Sequence, residues 1–157
     1  MIRAATPQDV PAIMAIWNHY IRDTTVTFLP VEKTVADIAP LIAGTDPFLV
    51  WEDDGQAIGF ARYFPFRSGA GYARTVEHTI LFAPGKGGGG RGRQMMEHLC
   101  ALAEKAGKHS MIAGVSAENA AGAAFHQKLG FIPVATLPEV GFKFGRWLDL
   151  VLMQRRL

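Results

Sequence analysis

With 157 residues, 49% of them apolar, the chain is long enough for one domain with a substantial core. A formal charge of +2 is too small for a dedicated nucleic-acid binder, despite a pI near 8.9. The single cysteine, Cys100, excludes an internal disulfide, and no apolar run reaches the length that spans a bilayer. Met1-Ile2-Arg3 leads straight into structure, so the sequence reads as one soluble, cytoplasmic domain over residues 1–157.

Ile2-Arg3-Ala4 reads as a short first strand. Thr6, Pro7 and Asp9 then form a helix start, and Val10, Ile13, Met14, Trp17 and Ile21 recur at helical spacing to about Arg22. Val26-Thr27-Phe28 is short and extended. Thr34 caps a second helix with Ile38, Leu41 and Ile42 inward, stopped by Gly44. Phe48–Trp51 and Ala57–Tyr63 are strands joined by the hairpin signal Asp53-Asp54-Gly55-Gln56. Pro65–Gly71 is an irregular loop, and Thr75–Phe82 is the central strand. A helix carrying Met95, Met96, Leu99 and Leu102 runs to Gly107, and Cys100 at this spacing is a small buried hydrophobe. Ser110–Val115 is a buried strand, parallel to the central one because a helix separates them. Ser116–Gly130 supplies a last helix. Ile132–Ala135 and Leu148–Met153 finish the sheet, with a polar-aromatic loop between them. The order β-α-α-β-β-β-α-β-α-β-β predicts an α/β mixed sheet with helices on both faces.

The informative junction lies between the central strand and its helix. Ala83-Pro84 leads into near-continuous glycine from Gly85 to Gly92. A glycine-rich turn delivered to a helix N-terminus is an anion site. The first helical N–H groups lack intrahelical partners, the helix dipole is positive there, and glycine lets a phosphate approach the backbone. The loop is therefore expected to hold a phosphorylated cofactor. Gly85-x-Gly87-x-x-Gly90 also fits a dinucleotide fingerprint, but the acidic residue expected some way downstream falls within a helix. Lys86 is not followed by Ser or Thr, which excludes a nucleotide P-loop, and no His/Cys/carboxylate cluster has metal spacing.

The strand, glycine loop and helix are followed by Asn119-Ala120-Ala121-Gly122-Ala123-Ala124-Phe125-His126-Gln127-Lys128-Leu129-Gly130-Phe131. Together they resemble the GCN5-related N-acetyltransferases, which carry Gln/Arg-x-x-Gly-x-Gly/Ala in the loop and Asn-x₆-Tyr-x₃-Gly-Phe in the later helix. Trp17–Ile21 with Thr24–Phe28, Thr75–Thr79 and Gly141–Asp149 resemble the phosphinothricin and methionine sulfoximine acetyltransferase branch, in order along nearly the whole chain. The resemblance implies a sheet splayed between its fourth and fifth strands, acetyl-CoA as cofactor, a small amine as substrate, and a homodimer. Two positions depart from the wider pattern. Gly87 stands where the loop motif begins with Gln or Arg, which removes a side-chain contact and predicts weaker or more mobile cofactor binding. His126 replaces the superfamily Tyr, as it does in the branch.

Glu77 is the expected catalytic base. Strand alternation puts Thr75, Glu77, Thr79 and Leu81 on one face and His78 on the other, so Glu77 and His78 cannot form a dyad. A carboxylate inside an apolar strand is costly unless bonded or functional, and burial raises its pKa toward the range for taking a proton from an ammonium. The resemblance implies that His126 stabilises the leaving thiolate or assists Glu77. It assigns the pyrophosphate to the backbone of Gly87, Gly88, Gly89, Gly90, Arg91 and Gly92. The pantetheine arm falls to Ile80, Leu81 and Phe82, with Asn119 completing that site. Phe28, Arg67, Tyr72 and Thr79 match the branch's substrate positions, with Arg67 meeting a carboxylate or phosphinate. Gly69 replaces a basic position of the branch and removes one anion contact. Lys143, Arg146 and Trp147 complete the pocket, form a dimer contact, or make an exposed basic loop. Two rival readings stand beside direct transfer to an amino-acid-like amine: a non-catalytic acyl-CoA sensor, and an acetyltransferase of peptide N-termini.

Overall fold

The computed structural model describes the whole chain, Met1–Leu157. Its elements in order are β1 (Ile2–Ala4), α1 (Val10–Asp23), α2 (Val35–Ala43), β2 (Phe48–Asp53), β3 (Gln56–Pro65), β4 (Thr75–Phe82), α3 (Arg91–Lys105), β5 (Ser110–Ser116), α4 (Ala120–Lys128), β6 (Ile132–Lys143) and β7 (Arg146–Arg156). The seven strands form one mixed sheet in the order β1-β2-β3-β4-β5-β7-β6.

Alternation along the strands builds two cores. Leu49, Ala61, Tyr63, Val76 and Phe82 face Met95, Met96 and Leu99 of α3, while Phe48, Val50, Phe60 and Leu81 face Ile13, Trp17 and Ile21 of α1. The start of α1 is fixed by Asp9, whose carboxylate accepts from the Thr6 amide at 2.8 Å and from both terminal nitrogens of Arg3 at 2.7 and 2.9 Å. That guanidinium holds the Asp9 carboxyl down at about 2. The first turn, Pro7–Asp9, is 3-10 rather than α.

The end of the chain departs from expectation. Residues 136–147 are not a loop. β6 is twelve residues long and pairs antiparallel with β7 out to the turn at Phe144-Gly145. Its register slips between Leu137 and Gly141, and the slip is tied down by the Glu139 amide donating to the Asp149 carboxylate at 2.8 Å.

The feature that positions the site is the pairing of β4 with β5. It is parallel, but it covers only Thr75–Glu77 against Ser110–Ile112. β4 stays paired with β3 as far as Phe82, and β5 stays paired with β7 as far as Ser116. Beyond Glu77 the two central strands therefore diverge, each held by its outer neighbour.

Candidate active site

The divergence opens a cleft of about 470 Å³. One wall is β4 from Glu77 to Phe82, and the opposite side carries Gly114, Val115 and Ser116 of β5 with Asn119, Gly122 and His126. Val26–Leu29, between α1 and α2, close a third side together with Trp17 and Tyr20.

Glu77 sits at the last paired position, where the strands part. It is half-buried, and burial alone raises its pKa above the 4.5 of an ordinary glutamate, because no cation or hydrogen-bond donor of the protein offsets the loss of water. A Cβ on Gly114 would lie 3.6 Å from the Glu77 Oε2 and 3.5 Å from Leu150, so the absent side chain keeps the gap before the carboxylate open.

His126 reaches the cleft from α4 with both ring nitrogens occupied. Nδ1 lies 2.7 Å from the Gly122 carbonyl, which can only accept, so Nδ1 carries the proton. Nε2 then accepts from the Nε2–H of His78, 3.1 Å away. His78 comes from the opposite face of β4 to Glu77, and the two imidazoles stack with centroids 5.0 Å apart against Phe131. Burial, and secondarily His126, pushes His78 down to about 3; burial also lowers His126. Both rings are neutral, and the His78 Nδ1 is buried without a partner.

The glycine loop fits an anion. The amides of Gly87, Gly88, Gly89, Gly90, Gly92 and Arg93 have no backbone acceptor. Gly89 and Gly90 turn the chain into α3 with φ of +68° and +79°, the left-handed region in which a Cβ is strained. The Arg91 side chain folds back, donating to the Lys86 carbonyl at 3.2 Å and reaching Asp53 at 3.8 Å. Asn119 caps α4, its Oδ1 accepting from the Gly122 amide at 2.9 Å.

Of the expected site residues, Glu77, Thr79, Ile80, Leu81, Phe82, Asn119, His126 and Phe28 meet in this cleft. Arg67 and Tyr72 do not line it. They lie in the exposed segment between β3 and β4, the guanidinium stacked 5.2 Å from the Tyr72 ring. Lys143 is not an exposed basic residue: it is 3% exposed. Sequence reasoning missed Tyr20, whose hydroxyl donates to the Phe82 carbonyl at 2.7 Å. At i+3 from Trp17 in an apolar helix, Tyr20 reads as core, and nothing local marks the contact. Gly114 and Ser116 were also missed, inside what reads as a plain buried strand.

An unpaired strand edge, free amides at a helix start and an open gap between them suit a long, phosphorylated acyl carrier. The acetyltransferase (GNAT) family pattern matches residues 13–131. The chain belongs to that family. A methionine sulfoximine/methionine sulfone acetyltransferase of Salmonella typhimurium is 39% identical to this acetyltransferase over 163 residues, covering 99% of this chain and 94% of its own. Among solved structures, a ribosomal-protein-alanine N-acetyltransferase of Brucella melitensis superposes with a TM-score of 0.96 at 37% identity, over 100% and 99% of the two chains. A phosphinothricin acetyltransferase of Sinorhizobium meliloti, solved with acetyl-CoA, superposes at 0.94 and 29% identity over 100% and 88%. The protein is thus an acyltransferase of the acetyl-CoA-dependent class, with a splayed mixed sheet as its fold.

Proposed function

We propose that this acetyltransferase moves the acetyl group of acetyl-CoA directly to the α-amine of a small amino-acid-like substrate of the methionine sulfone, methionine sulfoximine or phosphinothricin type. The observation that carries the reading is Glu77, a half-buried carboxylate with no partner, facing an open gap at the point where the strands diverge.

Bound acetyl-CoA supplies an electrophilic thioester carbonyl. The chain's own contributions follow from the geometry. Free amides of Gly87–Gly90 and Gly92 hold the pyrophosphate, with the Arg91 side chain bracing the loop. The free edge at Ile80 receives a pantetheine amide; contrary to expectation the Leu81 backbone cannot, because alternation along β4 turns it to its partner Phe60 in β3, in the same register as the Ala83 amide on the Ile58 carbonyl. Phe82 presents its backbone to the same edge, where its carbonyl already accepts one hydrogen bond from Tyr20. Asn119 orders the helix start beside the arm. Glu77 takes one proton from the substrate ammonium, directly or through water, and so frees the amine lone pair for attack. The nitrogen bonds to the acetyl carbon, the carbon–sulfur bond breaks, and the second proton shed by the nitrogen passes to the departing thiolate. His126 would serve that step only if its bond to His78 opens, because the neutral pair has no free N–H to give. Phe28 and Thr79 contact the substrate's apolar part within the cleft. Arg67 and Tyr72, stacked on each other outside the cleft, have no substrate contact in this arrangement. No acyl-cysteine is involved: Cys100 is 3% exposed in α3, and burial pushes its thiol up to about 11.

We further infer a homodimer formed through β6. This edge strand leaves Ile132, Val134, Val140 and Phe142 at least half exposed, with Trp147 of β7 beside Phe142. No helix is long and apolar enough to cross a membrane, and an unpaired buried thiol suits a reducing compartment, so we assign the protein to the cytoplasm.

The test is thiol release from acetyl-CoA with methionine sulfone, methionine sulfoximine, phosphinothricin and short peptides offered in turn. Turnover with the free amino acids supports the assignment. Turnover confined to peptides would transfer the protein to the N-terminal acetyltransferases, and binding without turnover would make it a sensor.

A further inference from the structure

The wall formed by Val26–Leu29 belongs to a stretch with no backbone support of its own. Between Thr24 and Lys33 no residue makes a main chain–main chain hydrogen bond. Side chains from elsewhere therefore set its position. At the far end, Asn18 pairs both ways with Lys33, accepting from its amide at 2.7 Å and donating to its carbonyl at 3.0 Å. At Thr25, the hydroxyl donates to Glu118 at 3.2 Å, and Glu118 is gripped by Arg146 through two bonds.

Arg22 adds an exposed ion pair to Glu32 at 3.2 Å, and the buried tether is Lys143, near the end of β6. Its ammonium donates to the carbonyls of Tyr20 at 3.4 Å, Thr24 at 2.5 Å and Thr27 at 2.8 Å. Three donors meet three carbonyls, and no carboxylate pairs with the charge. Two of these acceptors lie at the C-terminal end of α1, where carbonyls are left without partners and the helix dipole favours a cation. The third, Thr27, precedes Phe28. Two residues before Lys143 on the same strand, Gly141 lies flat beneath Phe28: a Cβ there would sit 2.4 Å from the ring. Strand spacing puts residues 141 and 143 on one face of β6, so one short piece of strand both pulls the loop backbone in and receives its aromatic side chain.

We propose that Lys143, acting with Gly141, is the positioning residue of the amine-side wall, setting where Phe28 stands in the cleft without touching substrate. The inference rests on the reading that the amine binds against Phe28. It predicts a split between the two substrates. The acetyl-CoA arm lies against β4 and the glycine loop, which Lys143 does not contact; only the amine should be affected.

Three variants and two readouts test it. Lys143→Met keeps the stem and removes the donors, Lys143→Arg keeps a charged donor, and Gly141→Ala displaces Phe28 while leaving Lys143 in place. The expected result is a KM for the amine raised about tenfold in Lys143→Met and Gly141→Ala, partial recovery in Lys143→Arg, and a KM for acetyl-CoA within about twofold of wild type throughout. Limited proteolysis without any ligand should show cleavage within residues 24–33 several-fold faster in Lys143→Met while α3 stays intact. If Lys143→Met is cleaved there at the wild-type rate, or if both substrates' KM values rise together, the positioning role is overturned. Should wild type accept none of the amines offered, the substrate assignment fails, whereas the proteolysis result still decides the role of Lys143.

Discussion

Lowering the pH from 7 to 5 should cost this protein about 2 kcal/mol of stability at His78 alone. The ring is held neutral in the folded state, with its pKa pushed down to about 3 by burial and by His126, against 6.5 for an unfolded chain. Between those values the unfolded state binds a proton that the folded state refuses, so stability falls as pH falls. At pH 7 the unfolded imidazole is mostly neutral and the penalty is about 0.2 kcal/mol; at pH 5 it is about 2 kcal/mol. A folded value one unit higher changes that figure by only about 0.1 kcal/mol, because pH 5 lies well above both. His126 is lowered as well and adds to the loss, while Glu77, which is raised, opposes it. His78→Gln retains an N–H for the Nε2 of His126 and removes only the titration. Urea unfolding followed by Trp fluorescence, for wild type and variant at both pH values, isolates the term as a difference of differences. The variant should lose about 2 kcal/mol less than wild type between pH 7 and pH 5. Equal losses in the two proteins would refute the buried, neutral pairing.

Gly114→Val fills the gap between the diverged strands, so the folded protein should bind acetyl-CoA at least about tenfold more weakly by calorimetry, with its urea midpoint little changed. Gly90→Ala forces a Cβ into a left-handed residue at the start of α3 and should cost about 1–2 kcal/mol in urea unfolding and weaken acetyl-CoA binding as well. Because burial raises Glu77, the acid limb of kcat/KM should fall with unit slope to an apparent pKa above 4.5, activity rising as the carboxylate ionises.

Local signals carried the sequence reading a long way. The apolar spacing of α1, the Asp-Gly turn between β2 and β3, and the strand–glycine–helix junction each follow from a few neighbouring residues, and each lies where the pattern puts it. The β6–β7 hairpin was not legible. Pro138, Gly141 and mixed polar and aromatic residues read as a loop, and only pairing with β7, including the slip held by Asp149, makes them a strand. The site divides in the same way. Glu77 stands out because a carboxylate in an apolar strand is anomalous on its own. The partners of Lys143 lie more than 115 residues away in the chain, and His78 meets His126 across 48. No periodicity encodes such contacts. Arg67 and Tyr72 were read as pocket residues, but an exposed loop places them against each other instead.

The central claim is that Glu77 deprotonates an amine beside a separately anchored acyl donor. Its most direct test is Glu77→Gln, with acetyl-CoA affinity measured by calorimetry and turnover by thiol release. The account predicts unchanged affinity and a kcat/KM for the amine lower by about 10²–10⁴. Turnover at the wild-type rate would contradict it.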